Sequence, residues 1–112
     1  MTVSELGSAL GYECIQEHFE DVRLRDGYTS DLLSDVMANA PEDSVLITIQ
    51  AHKNTVAVAT LAGIRAVVVC NSRPVPDDMI DAARAESLAV FRTEKNQFRV
   101  TAEIAAALDS DG

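Results

Sequence analysis

From Ser44 onward, short runs of β-branched residues alternate with longer stretches of helical period, and this alternation constrains the fold more than any other feature. Val45-Leu46-Ile47-Thr48-Ile49 is the first run, Ala66-Val67-Val68-Val69-Cys70 the second, and Leu88 to Phe91 the third. The spacing between and after them predicts helices from Asn54 to Ala62, from about Asp77 to Glu86 and from about Glu94 to Leu108. A strand, a helix and another strand read as a crossover unit whose strands run parallel. Strands that are apolar on nearly every residue must be covered on both faces. The class is therefore α/β, with a mainly parallel sheet of about five strands once the amino-terminal third is included.

The boundaries have local causes. Asn54 is a candidate cap for its helix, Gly63 can end that helix in the left-handed conformation, and Thr93 is a candidate cap for the last helix. Pro76 suits a first helical position, with Asp77 and Asp78 at the positive end of the helix dipole. The amino-terminal third reads as a helical turn at Ser4 to Leu10, strands near Glu13 to Gln16 and Val22 to Leu24, and a helix from Ser30 to Asn39. That helix carries Leu32, Leu33, Val36 and Met37 on its expected inner side, and Pro41 stands just beyond it. The tail 109–112 is expected to fray.

At 112 residues the chain has material for one domain, residues 1–112, and one core. Only 4% of residues are aromatic against 47% hydrophobic, so that core must be built from Ala, Val, Leu and Ile. A formal net charge of −9 argues against nucleic acid and anionic membrane as partners, because both need clustered cations. No apolar stretch is long enough to span a bilayer and the first ten residues have no basic leader pattern, which points to a cytoplasmic protein. Cys14 and Cys70 each sit in an apolar run without a Cys or His neighbour, so they read as two buried thiols, with neither a metal nor a redox pair.

Gly27-Tyr28-Thr29-Ser30-Asp31-Leu32-Leu33-Ser34-Asp35-Val36-Met37 and the stretch from Ile47 to Ala59 resemble the DRTGG domain. The likeness runs from Val3 to about Leu108. It implies a three-layer α/β/α fold, self-association into dimers and a regulatory role outside any catalytic centre, with no established reaction. The family is similar to the amino-terminal domain of HPr kinase/phosphorylase and occurs beside CBS domains in some inorganic pyrophosphatases. Cys70-Asn71-Ser72-Arg73-Pro74 departs from the family's paired-glycine turn, and Asn and Ser enter positive φ less readily than Gly.

The candidate site residues follow from position. In open parallel sheets ligands bind outside the carboxyl ends of the strands. His52 falls between the first strand and its helix, with Thr48, Gln50, Lys53 and Asn54 in the same segment. Thr48 and Gln50 share a strand face by alternation. Lys53, Arg73, Arg92 and Lys95 all follow strands, so an acidic chain is expected to carry a basic rim at one sheet edge. Ser30 and Asp31 are also candidates; Asp31, Ser34 and Asp35 are expected to share a helix side, where two carboxylates and a hydroxyl could hold a cation or form an acid–base pair, although a single turn supplies too few ligands for a metal cage. His18, among acidic residues, reads as surface.

No G-x-x-x-x-G-K-[ST] loop and no G-x-S-x-G elbow occurs, so neither phosphoryl transfer nor serine chemistry is expected. The leading expectation is a non-catalytic regulatory domain, without cofactor or metal, that binds a small anionic ligand such as an adenine nucleotide at the strand-carboxyl edge or a dimer interface. The alternative is a module docking on a larger metabolic or redox enzyme of the hydrogenase type. A homodimer is expected also from composition, since Thr55 to Ile64 contains no charged residue and such a helix needs cover on more than one side. Val56, Val58 or Leu61 would then face the second subunit.

Overall fold

The computed structural model describes residues 1–110. Five strands form one sheet in the order β1-β5-β4-β3-β2. They are β1 (Glu13–Gln16), β2 (Asp26–Thr29), β3 (Ser44–Thr48), β4 (Ala66–Val69) and β5 (Ala89–Arg92). β2, β3, β4 and β5 are parallel, and β1 joins the β5 edge antiparallel, with Glu13 opposite Arg92. The helices are α1 (Glu5–Ser8), α2 (Leu33–Asn39), α3 (Lys53–Ala62), α4 (Asp77–Ala85) and α5 (Gln97–Ser110).

Alternation along the strands divides the core into two layers. Val45, Ile47, Ala66, Val68, Cys70, Ala89 and Phe91 point to one face, where Leu6 of α1, Val100 and Ile104 of α5 and the amino-terminal Met1 and Val3 cover them. Leu46, Val67, Val69 and Val90 point to the other, under Val36 of α2, Val56 and Ala59 of α3 and Met79 and Ala83 of α4. This is the three-layer α/β/α arrangement. Every residue of β3 and β4 is buried, which is why both read as unbroken apolar runs.

Several local expectations are corrected. The strand placed at Val22 to Leu24 is instead at Asp26–Thr29; Arg23 makes only an isolated bridge to Thr2, and Leu24 N–H donates to the Met1 carbonyl. β2 was hard to read because it lies at a sheet edge, where Asp, Gly and Thr are tolerated on half-exposed positions. α2 begins at Leu33 and not Ser30, so Asp31 lies ahead of the helix and does not share its face with Ser34 and Asp35. Of its expected inner side only Val36 is buried, whereas Leu32 is 64% and Met37 42% exposed. α5 begins at Gln97, its first turn capped by Asn96 Oδ1 accepting from Arg99 N–H, while the Thr93 hydroxyl serves the loop at Lys95 N–H. Cys14 is exposed on the edge strand, and only Cys70 is a buried thiol. Asp109 and Ser110 continue α5 where fraying was expected, and residues 111–112 lie outside the described residues.

Gly63 ends α3 at φ 78°, in the left-handed conformation expected of it. Beyond Lys53, α3 carries no charge and is flanked within the chain by α2 and α4. That intramolecular cover accounts for the buried Val56 and half-buried Val58, while Ala57, Thr60 and Leu61 remain outward. Among the described residues no helix is long and apolar enough to cross a membrane.

Candidate functional site

The carboxyl ends of β2, β3, β4 and β5 open onto one edge, and the eight candidates lie along it: Ser30 and Asp31 after β2, Thr48 ending β3, Gln50 and His52 after it, Lys53 and Asn54 opening α3, and Arg73 after β4. Asp31, in the loop after β2, anchors this edge. Its Oδ1 accepts from the Thr48 hydroxyl at 2.9 Å, from Ile49 N–H at 2.8 Å and from the Gln97 amide at 3.0 Å, tying β2's exit to β3 and to the start of α5. Thr48 Oγ in turn accepts from Gln50 N–H at 3.0 Å, and Ser30 Oγ accepts from Leu32 N–H at 3.2 Å. Ser30, Asp31 and Thr48 therefore shape the loops.

His52 occupies the cap position of α3. Its backbone is extended and its Nδ1 accepts from Asn54 N–H at 3.0 Å, so the cap expected of Asn54 belongs to His52 and Asn54 sits inside the first turn. An accepting Nδ1 places the ring proton on Nε2. Gln50 lies beyond the end of β3, exposed, and its carbonyl accepts from the buried Thr55 hydroxyl at 2.8 Å. The strand-face pairing of Gln50 with Thr48 is thus replaced by a turn.

The turn at Cys70 to Pro74 adopts positive φ without its glycines, 60° at Asn71 and 53° at Ser72. Its backbone donors are spent inside the protein: Asn71 N–H on the Lys95 carbonyl at 3.0 Å and Ser72 N–H on the Thr93 carbonyl at 2.9 Å. This turn braces the loop after β5. Arg73 projects from it, exposed.

The four cations expected at the rim all lie on this edge, in two different electrostatic states. Arg92 pairs with Glu13 at 3.4 Å, because antiparallel β1 brings its first residue beside the end of β5. Lys95 pairs with Glu103 at 2.8 Å and lies 5.9 Å from the Tyr12 ring centre, while the Tyr12 hydroxyl donates to Glu103 at 2.7 Å. The Lys95 hydrogen bond holds the Glu103 carboxyl below its usual range, and burial with the Glu103 bond pushes the Tyr12 hydroxyl well up. Lys53 and Arg73 have no carboxylate partner among the described residues. Sequence reasoning missed the Glu13, Glu103 and Tyr12 partners, because nothing local signals pairing across so many residues.

The other titratable groups are committed separately. Asp35 takes bonds from Tyr28 Oη at 2.7 Å and Asn39 at 2.9 Å, and the Tyr28 bond lowers its pKa. Neither it nor Asp31 bonds His52, so no acid–base pair is assembled. Burial, then Asp31 nearby, raises the Cys70 thiol to about 11. Among the described residues no three His, Cys, Asp or Glu side chains converge as metal ligands. His18 is exposed.

No protein-family model and no curated protein matches the chain. A solved structure does: the CBS and DRTGG domains of the regulatory region of Clostridium perfringens pyrophosphatase, in complex with the activator diadenosine tetraphosphate. The TM-score is 0.70 at 11% identity, over 90% of this chain and 44% of that one. The fold is DRTGG-like. The likeness seen in the Gly27 to Met37 and Ile47 to Ala59 stretches is therefore matched at the level of architecture. The chain spans less than half the length of the pyrophosphatase chain it matches.

Proposed function

We propose that this chain is a non-catalytic regulatory domain that binds a small anionic ligand, an adenine nucleotide by preference, at the carboxyl edge of β3 and β4. The observation that carries the reading is the exposure of Lys53 and Arg73, without carboxylate partners among the described residues, on adjacent loops of that edge. Lys53 opens α3 at the positive end of the helix dipole, which favours an anion, and His52 Nε2 is free to donate beside it. In this reading Lys53, Arg73, His52, Asn54 and Gln50 contact ligand, while Thr48, Asp31 and Ser30 hold the loops. An adenine nucleotide activates the pyrophosphatase that shares this fold, which supports the ligand class. A homodimer, with a cytoplasmic setting, belongs to the same proposal.

Calorimetric titration with AMP, ADP, ATP and diadenosine tetraphosphate tests it. Saturable binding that weakens in Lys53→Glu and Arg73→Glu is expected. Flat titrations with all four at millimolar concentration would overturn it.

A second reading, an adaptor for a larger metabolic or redox enzyme, is favoured by one observation. Met37 is exposed on α2 and Leu32 just ahead of it, and α2 packs beside α3 with its Leu61, 76% exposed. Flat titrations together with binding of a defined hydrogenase-type enzyme by the wild type, and not by Leu61→Glu, would establish it.

A further inference from the structure

β2 is the open edge of the sheet, and α5 crosses beside it on the face that the amino-terminal segment shares. Between them lies a cleft of about 240 Å³ lined by Gly27, Thr29, Ile47, Thr101, Ile104 and Leu108. Gly27 contributes no side chain to it, and a Cβ there would meet Val45 and Ile104 at ordinary contact, 3.6 and 3.8 Å. Ile47, Ile104 and Leu108 supply apolar side chains to it, and the Thr29 and Thr101 hydroxyls on its wall satisfy each other at 2.7 Å. An apolar cavity of roughly 150 Å³ already holds a benzene ring. The adjoining surface carries Phe98, 77% exposed at the start of α5, on a shallow groove that shares Thr29, Thr101 and Ala105 with the cleft.

We infer that a second copy of this chain docks here through an antiparallel α5 pair, each Phe98 entering the cleft over Gly27 of the other copy. This places the interface of the proposed homodimer on α5 and not on α3; it rests on self-association and is independent of the ligand reading. The exposed face of α5 is Phe98, Arg99, Ala102, Ala105, Ala106 and Asp109. A two-fold axis beside Ala102 sets Phe98 of one copy opposite Ala105 and Ala106 of the other, at the mouth of the cleft. Alanines at the crossing let the helices approach closely, and one operation seats both rings.

Charge identifies the occupant as another copy. The chain carries −9, so two copies repel over most of their surfaces. Around this patch stand two arginines, Arg25 and Arg99, and two aspartates, Asp26 and Asp109. The patch is neutral, and the same axis brings Arg99 of each copy within side-chain reach of Asp109 of the other. Attraction across the axis thus accompanies burial of the ring.

Sedimentation equilibrium of the full chain tests the inference. The wild type should show twice the 12.0 kDa chain mass. Phe98→Glu should weaken the dimer by about thirtyfold or more, as loss of a buried aromatic anchor does. Phe98 is exposed in the single chain, so circular dichroism should be unchanged. Arg99→Asp and Asp109→Arg should each weaken the dimer, and their combination should restore it. Leu61→Glu should leave it intact. A monomeric wild type would refute self-association altogether. A dimer that survives Phe98→Glu and dissociates in Leu61→Glu would keep self-association and move the interface to α3.

Discussion

The Thr48 hydroxyl donates to Asp31 Oδ1 at 2.9 Å, and through this bond the end of the fully buried β3 fixes the loop that precedes α2. The same oxygen receives Ile49 N–H and the Gln97 amide. Asp31→Ala would strand these donors at a half-buried position, where leaving a polar group unsatisfied costs about 1–3 kcal/mol. Asp31→Asn retains one acceptor oxygen and should lose less. Urea denaturation of the two variants checks the order; equal stability of Asp31→Ala and the wild type would show that solvent replaces all three bonds.

His52 has two roles that can be separated. As the cap of α3 its Nδ1 satisfies Asn54 N–H, and removing a capping side chain costs about 0.5–2 kcal/mol. As a ligand contact it acts through Nε2. His52→Ala should therefore lower both stability and nucleotide affinity. His52→Ser, which supplies a hydroxyl acceptor, should regain stability without regaining affinity. Thermal denaturation and calorimetry on the same samples read the two effects, and recovery of both in the serine variant would assign His52 to capping alone.

How much of this was legible in the sequence follows from how local each cause is. The runs at Val45 and Ala66, the left-handed Gly63 and the placement of His52 after a strand depend on a few neighbouring residues, and were readable. β2 was not, because Asp26-Gly27-Tyr28-Thr29 carries no alternation that an edge strand needs to show. Leu32 and Met37 each stand four residues from another apolar residue yet remain outside; Asp31 turns toward Thr48 and α2 begins only at Leu33, so Leu32 precedes the helix. The basic rim was half legible: the side of the sheet followed from parallel topology. The quenching of Arg92 and Lys95 depended on Glu13 and Glu103, which only the folded chain brings near.

The two thiols should differ in reactivity. Cys14 is exposed, with burial of its sulfur and the charge of Glu17 raising its pKa, so it should react with an aromatic disulfide reagent more slowly than a free peptide thiol. Cys70 is fully buried with its pKa raised to about 11, and should react only after unfolding. One equivalent released from native protein and two in urea is the expected result. Rapid release of two from native protein would mean that the carboxyl edge of β4 opens readily.

Tyr12 and Glu103 share a hydrogen bond of 2.7 Å and are displaced in opposite directions, which makes stability depend on pH at both extremes. Glu103 is held below its ordinary value of 4.5, first by the Lys95 bond, so the folded state binds its proton less readily than the unfolded state. Its contribution is fully present above that ordinary value and is lost as pH falls through the lower folded one. Glu103→Gln removes this acid loss and, because the pair is partly solvated, should cost no more than about 1 kcal/mol at pH 7. Tyr12 is displaced the other way, first by burial and then by its bond to Glu103, so the folded chain keeps the phenol proton after the unfolded chain releases it near 10.0. Stability should therefore decline as pH rises past 10, adding to a decline that begins at 9.0 where an unfolded Cys70 ionises. Tyr12→Phe should flatten the part above 10 and, because the Tyr12 bond also helps hold the Glu103 carboxyl down, shrink the acid arm, while Cys70→Ala should flatten the part from 9 and leave the acid arm unchanged. Urea midpoints measured from pH 3 to 11 test all three variants together. An alkaline decline left unchanged by both substitutions would show that surface repulsion in this acidic chain, and not these two buried groups, sets its upper limit.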